Sequence, residues 1–116
     1  VIYHDIEWEQ AAAVDHYASQ NWNSRYRLTW HGEDSYIARF DTTYDSENAG
    51  ELDIDETDPR YDEFISVDFE ILEIITDGPR RYNEYVSIDY RDFPDEIIDI
   101  TNNHTVYPNP NVPPRP

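Results

Sequence analysis

Phe64-Ile65-Ser66-Val67-Asp68-Phe69-Glu70-Ile71-Leu72-Glu73-Ile74-Ile75, then Thr76-Asp77-Gly78-Pro79, then Tyr85-Val86-Ser87-Ile88-Asp89-Tyr90, is the part of the chain that sets its fold class. Apolar side chains recur at every second position: Ile65, Val67, Phe69 and Ile71 in the first arm, Val86, Ile88 and Tyr90 in the second. A period of two in β-branched and aromatic residues marks a half-buried antiparallel strand pair. A helix fits poorly, because a 3.6-residue period sets Asp68 and Glu70 beside the apolar face. Near Leu72 the alternation is lost, as Ile71, Leu72, Ile74 and Ile75 crowd together. Either a bulge resets the pleat there or the strand is buried on both faces. The connection that opens at Asp77-Gly78-Pro79 is too long for the tightest hairpin turn.

Working back from this hairpin, Asp41 to Glu63 reads as a loop, with ten acids among 23 residues and one Arg. Its low apolar content predicts mobility unless a cation or a partner orders it. A short strand is allowed at Leu52 to Ile54, and Asp58-Pro59 marks a turn. Before it, Arg25 to Trp30 and Tyr36 to Phe40 alternate like strands around a turn at His31 to Asp34. A five-residue loop pairs Trp30 with Tyr36, Leu28 with Ala38 and Tyr26 with Phe40, and gathers Arg25, Arg27 and Arg39 on the opposite face. Those arginines read as neutralising neighbouring carboxylates, with an anion or partner patch as the alternative. Val1 to His4 reads as a short strand or an arm. Asp5 suits a helix N-cap, and Ile6 to about Gln20 reads as helix, with Ile6, Gln10, Ala13, Val14 and Tyr17 on one face and Asn21 and Asn23 at its end. Trp8 and Trp22 read as packing anchors against the sheet, with a binding platform as the lesser reading.

Working forward, Asp92 suits the cap of a short helix that turns Ile97, Ile98 and Ile100 inward. The tail from Tyr107 to Pro116 favours polyproline II, either as a strap on a neighbour or as a frayed end. The expected fold class is therefore α+β. An N-terminal helix packs on a mainly antiparallel β-sheet of hairpins, followed by a short C-terminal helix and an extended Pro-rich tail. One domain spans residues 1–107, and the tail spans 108–116.

Charge is the dominant compositional feature. The 116 residues carry 26 acids and eight bases, a formal net charge of −18, and every base is Arg. Lys is ordinarily among the commonest residues, so its absence calls for a cause. Concentrated salt supplies one, since carboxylates compete for water there and the Debye length falls to about 3 Å. Arg tolerates it because guanidinium is weakly hydrated and pairs bidentately with carboxylates. Mimicry of a polyanion such as DNA is the other. In overall balance the chain resembles proteins of extremely salt-loving microbes or their viruses. With no Cys, disulfides and thiolate metal sites are excluded. The net charge disfavours direct nucleic-acid binding through phosphates. No apolar run approaches the roughly 20 residues of a membrane helix, and the start lacks the build of a signal peptide. The expected location is cytoplasm or virion.

Motifs for chemistry are sparse. Asp45 to Glu56 has acids at Asp45, Glu47, Asp53 and Glu56, with Gly50 between, at spacings that partly match a calcium loop. Ala49 stands where a ligand belongs, and the preceding segment reads as strand. This loop is the candidate site for Ca2+ or another cation. His4 with Asp5, or His16 with Asp15, are lesser metal candidates. No nucleophile elbow or glycine-rich phosphate loop is present. Glu70 and Asp89 are placed to face each other across the central hairpin, without a partner to tune either. Asn103-His104-Thr105 is a glycosylation sequon. Arg80-Arg81-Tyr82 reads as an exposed basic tip for docking, with Pro110 and Pro113 of the tail as further partner contacts. These features predict a non-enzymatic interaction or assembly protein of a salt-adapted system, cellular or viral, acting on a protein partner or as a homo-oligomer. An acidic DNA-mimic inhibitor and a cation-binding protein are the alternatives.

Overall fold

The structure, a computed structural model, describes residues 1–109. Pro110 and Pro113, and most of the expected Pro-rich tail, lie outside the described residues. Six strands form one sheet in the order β4-β3-β2-β1-β5-β6, with antiparallel neighbours throughout. They are β1 (Tyr26–Thr29), β2 (Ser35–Glu47), β3 (Glu63–Thr76), β4 (Tyr85–Ile88), β5 (Glu96–Asp99) and β6 (His104–Tyr107). Helix α1 (Ala11–Gln20) packs on one face, and a single helical turn, α2 (Ala49–Leu52), lies between β2 and β3. The α+β class and the mainly antiparallel sheet are as the alternation of the central stretch predicts.

The central hairpin forms with Val67 opposite Ile88 and Phe69 opposite Val86. Tyr90 lies outside it, in a 3-10 turn (Tyr90–Asp92) capped by the Asp89 carboxylate. The longer partner of β3 is β2, and three irregularities interrupt their register. One of them skips Leu72, where the alternation fails in the sequence. The bulge reading holds there, and the fully buried reading does not, because Leu72 is exposed. β2 itself corrects the expected loop. It continues as strand through Asp41 to Glu47, held by the ladder from Asp68 to Glu63. Thr42, Thr43 and Tyr44 favour the pleated surface, and the low hydrophobicity of 41–47 reports solvent on its side chains, with no bearing on whether its backbone is paired. Residues 52–54, allowed as a strand, instead end a helical turn, with Asp53 left-handed at its cap.

Between β1 and β2 the register differs by two residues from the expected one. Tyr26 faces Ala38 and Leu28 faces Tyr36, because Trp30 to Asp34 form the turn, closed by the Trp30 N–H on the Asp34 carbonyl. An even slip leaves every side chain on its expected face. Tyr26, Leu28, Tyr36 and Ala38 are buried accordingly.

Both ends of the chain depart from expectation. The N-terminal helix divides into a 3-10 turn (Asp5–Trp8), with His4 rather than Asp5 at its cap, and then α1. Gln10 adopts φ −105° and ψ −102° at the junction. The break resets the helical phase, so Ala11, Val14 and Ala18 face the core, and small Ala side chains let α1 sit close to the sheet. Trp8 and Trp22 are exposed, and Trp30 is the buried indole. The expected C-terminal helix is strand β5 instead. Its paired isoleucines, Ile97 and Ile98, are better strand than helix formers, and β1 offers a free edge opposite them. Ile97 is buried, Ile98 half-buried and Ile100 exposed.

The core joins Ala11, Val14 and Ala18 to Tyr26, Leu28, Trp30, Tyr36, Val67, Phe69, Val86, Ile88, Ile97 and Val106. Tyr26 meets Phe69 edge-on, with ring centroids 5.7 Å apart.

Candidate functional site

Four carboxylates penetrate this core or its margin, and each is occupied by donors of the chain. Glu7, fully buried, accepts from the backbone N–H of Tyr3, His4 and Ile65, at 2.9, 2.9 and 2.6 Å. It pins the N-terminal turn to the first residues of β3. Asp99, also fully buried, accepts from the Tyr17 hydroxyl (2.6 Å), Ser24 Oγ (3.0 Å), Asn102 Nδ2 (2.8 Å) and the N–H of Thr101 and Asn102. Burial pushes its pKa up, but these hydrogen bonds outweigh it and hold the carboxyl below the usual value. Burial and that same bond push Tyr17 up to about 12.

Asp34 is the third. It sits in the turn before β2 and receives the Tyr36 hydroxyl at 2.8 Å, the Gly78 N–H at 3.1 Å and Arg80 Nη1 at 2.9 Å. Burial again acts upward on its pKa and the bonds from Tyr36, Arg80 and Gly78 prevail, so the net shift is downward. A Cβ on Gly78 would stand 2.6 Å from the Asp34 carboxylate and 2.8 Å from its backbone nitrogen, so only glycine fits. Asp62, the fourth, is half-buried. It accepts from His4 Nε2 at 2.7 Å and from the Tyr90 hydroxyl, while the His4 and Tyr90 rings stack at 4.0 Å. Its pKa is lowered: burial raises it, and the Tyr90 and His4 bonds overcome that.

The basic tip expected at Arg80-Arg81-Tyr82 is corrected by this arrangement. Arg80 lies over the Trp30 ring at 4.5 Å, forks onto Asp92 at 2.6 and 2.8 Å, and reaches Glu33 and Asp34 at 2.9 Å. Its side chain is only 18% exposed. The neighbouring carboxylates, Asp92 foremost, raise its pKa further above its already high value. Tyr82 packs beside Trp30 and Tyr36. Arg81 alone projects, 3.8 Å from Asp77.

The register sets Glu70 opposite Tyr85, with Asp89 beyond the end of β4, so the expected Glu70–Asp89 facing does not occur; Glu70 pairs with Arg39 instead. Arg27 and Arg39 do share the open face of the sheet. Arg60 grips Asp58, and Arg91 grips Asp89 while covering the Phe64 ring at 3.9 Å. Arg60, Arg80 and Arg91 each use Nε and Nη2 on both oxygens of one carboxylate. That two-point geometry is one a Lys cannot reproduce.

The cation loop is not assembled as expected. Asp45 and Glu47 are in strand β2, opposite Ile65 and Glu63, and Asp53 and Glu56 lie beyond α2. Among the described residues, no group of three or more His, Asp or Glu side chains is placed to hold a metal ion. His4 is spent on Asp62, His104 stacks on Tyr17 at 4.8 Å, and His16 and His31 are exposed.

One surface was not read from the sequence. β4 pairs with β3 only from Val67 to Glu70, with one more bond from the Ile71 N–H to the Glu84 carbonyl. From Leu72 to Thr76, β3 has β2 on one side and, among the described residues, no strand on the other. Leu72, Ile74 and Ile75 are 41, 42 and 49% exposed there, and Tyr85 stands exposed at the start of β4. The signal was present in the apolar crowding after Ile71, which looks the same for a buried strand and for an exposed edge.

The chain matches no family model, no curated protein and no solved structure. No helix of the described residues is long and apolar enough to cross a membrane.

Proposed function

We propose that the chain is a non-enzymatic association protein adapted to concentrated salt, joining a second copy of itself through the open half of β3. The observation that carries this reading is the run from Leu72 to Thr76, which offers unpaired backbone and exposed aliphatic side chains together. Proteins ordinarily protect such an edge with charge, proline or a covering element. Here Glu73 is its one charged residue. Extending the sheet across the edge satisfies the free N–H and C=O groups and covers the aliphatic side chains. Antiparallel pairing of two copies about Ile74 sets Leu72 against Thr76 and Glu73 against Ile75. No two carboxylates then face each other, and the interface is of the twofold kind commonest among oligomers. The bulges at Leu72 and Ile75 confine the usable edge to a short segment and oppose open-ended stacking.

The salt adaptation is supported by the three two-point Arg–Asp pairs and by the size of the net charge. Two bodies of −18 repel in dilute buffer, and about molar salt shortens that repulsion to roughly 3 Å. The absence of enzymatic chemistry is supported by how the shifted carboxylates are used. Asp34, Asp62 and Asp99 spend their acceptor capacity on internal donors.

Sedimentation of the protein from about 0.1 M to about 3 M KCl tests the reading, with association expected to strengthen as salt screens the charge. Ile74→Asp should remain monomeric across the series while unfolding at an unchanged midpoint. A wild-type chain that stays monomeric at every salt concentration sinks the proposal. A compact, stable monomer in dilute buffer is the behaviour expected instead of an acidic mimic of nucleic acid.

A further inference from the structure

A coat of carboxylates makes its gaps informative. Tyr17 to Ser24 and Ile100 to Asn109 contain no Asp, Glu, Lys or Arg, although the chain's 29% charged fraction would place about five charges in those 18 residues. The fold brings the two segments together at one end of the sheet. The Ile100 N–H bonds the Arg25 carbonyl, Thr101 Oγ1 accepts the Arg25 N–H at 2.9 Å, and Asn102 Nδ2 reaches Ser24 Oγ at 3.1 Å. Asp99, the acid immediately before the second segment, is turned wholly inward. Apart from Arg25, whose backbone joins the segments, and the titratable His104, this pole is polar yet uncharged.

Its centre is Trp22, 63% exposed, the most exposed large aromatic side chain of the described residues. Trp22 borders a shallow hollow of about 260 Å³ together with Gln20, Asn21, Asn23, Ser24 and Thr101. Several of these groups are already used: Asn21 Nδ2 holds the Tyr17 carbonyl at 3.0 Å, and Ser24 Oγ donates to Asp99. Among the described residues, the side-chain amides of Gln20 and Asn23 have no hydrogen-bond partner. Each offers two donors and an acceptor beside the indole.

We infer that this pole is a binding site for a neutral saccharide. A pyranose ring presents an apolar C–H face, which suits the flat face of an exposed indole. Its hydroxyls are both donors and acceptors, which suits planar amides better than carboxylates or guanidinium. The missing charge follows from the same chemistry, because a neutral ligand gains nothing from a field and must displace the tightly held water around a carboxylate. The hollow is below the ~300–1,000 Å³ of clefts for drug-sized ligands, so it accommodates a single terminal ring. A protein contact is the less suitable occupant. Stable protein interfaces bury about 800 Å² on each side around a cluster of anchors, and this hollow has one aromatic anchor ringed by amides and hydroxyls.

The inference is independent of the strand-edge association and is tested separately. The probes are methyl glycosides of glucose, galactose, mannose and N-acetylglucosamine, titrated into ¹⁵N-labelled protein at native salt. Saturable shifts of the Trp22 indole N–H and of the Gln20 and Asn23 side-chain amides are expected for at least one sugar. Half-saturation near a millimolar is the scale for one exposed ring. Trp22→Ala and the double variant Gln20→Ala/Asn23→Ala should each weaken binding at least tenfold, and Trp8→Phe should leave it unchanged. All four positions have exposed or half-open side chains, and near-UV circular dichroism verifies that the fold persists. The inference is overturned if no sugar of the panel shifts Trp22, or if shifts fall at Trp8 instead. It is overturned too if Trp22→Ala changes the oligomeric state with no saccharide response, which would assign the pole to a protein contact.

Discussion

From Phe64 to Glu70, strand β3 is engaged on both edges, by β2 on one side and on the other by β4 and the Glu7 carboxylate at Ile65. From Leu72 to Thr76 it keeps only β2, and its aliphatic side chains stand in solvent. The two halves are built from the same residue types. What separates them is their neighbours: alternation and β-branching make a strand, whereas burial depends on what the rest of the chain brings alongside. The closed half is held by packing. The open half is held by its ladder to β2 and by a polar anchor just beyond it, where Asp34 receives Gly78 and Arg80.

The largest expected effect is at Phe69, which is fully buried against Tyr26 and Phe40. Phe69→Ala should cost about 3–5 kcal/mol, by loss of transfer energy and the cavity left behind. Chemical denaturation at fixed salt measures it. A cost no larger than that of Ile75→Ala would erase the distinction between the halves.

Gly78→Ala probes the anchor. The added Cβ has backbone as well as carboxylate within 2.8 Å, so either the loop or Asp34 must move. A loss of about 1–3 kcal/mol is expected, the usual cost of overpacking. Amide hydrogen exchange should localise it, with faster exchange from residue 72 onward and little change from 64 to 70. Equal acceleration in both halves would contradict the division.

Much of this was legible beforehand. Period-two patterning located β1, the start of β2, β3 and β4, and assigned their inward faces even where the register was two residues off. The apolar crowding at Leu72 marked where the pleat is reset, although a strand buried on both faces fitted it as well. Other features were hidden for physical reasons. Asp41 to Glu47 is strand because β3 offers a ladder, which local polarity does not report. Ile97 to Ile100 fits a helix face until β1's free edge is known. Glu7, Asp34 and Asp99 look like members of the acidic coat, and only the fold shows which of 26 acids are buried among donors. Arg80-Arg81 gave no hint that one guanidinium is enclosed and the other free to project.

Acid sharpens the comparison through Asp34, Asp62 and Asp99, each held below its ordinary value of 3.8 in the folded chain. A carboxyl depressed on folding stabilises fully above its unfolded pKa, and that contribution is lost as pH falls through the folded one. At about molar salt, where repulsion among exposed carboxylates is screened, the unfolding temperature should therefore be flat above roughly pH 5 and fall below about pH 4. Asp34→Asn should unfold at a lower temperature near neutrality and show a shallower acid decline. A decline as steep as wild type would remove Asp34 from the anchor.

The smallest effect is expected at Ile75, and it bears most directly on function. Its side chain is half exposed and no strand of the described residues lies against that edge, so Ile75→Thr deletes few contacts and retains β-branching. Stability should change by less than about 0.5 kcal/mol, as for surface positions outside special features. Association at high salt should nevertheless weaken, because in the proposed pairing Ile75 packs across the seam beside Glu73 of the second copy. The two measurements separate what Phe69 cannot: a residue kept apolar for the fold changes both, while a residue kept apolar for a partner changes only association. If Ile75→Thr lowers stability as a core substitution does, the open half belongs to the core after all, and its exposure carries no functional meaning.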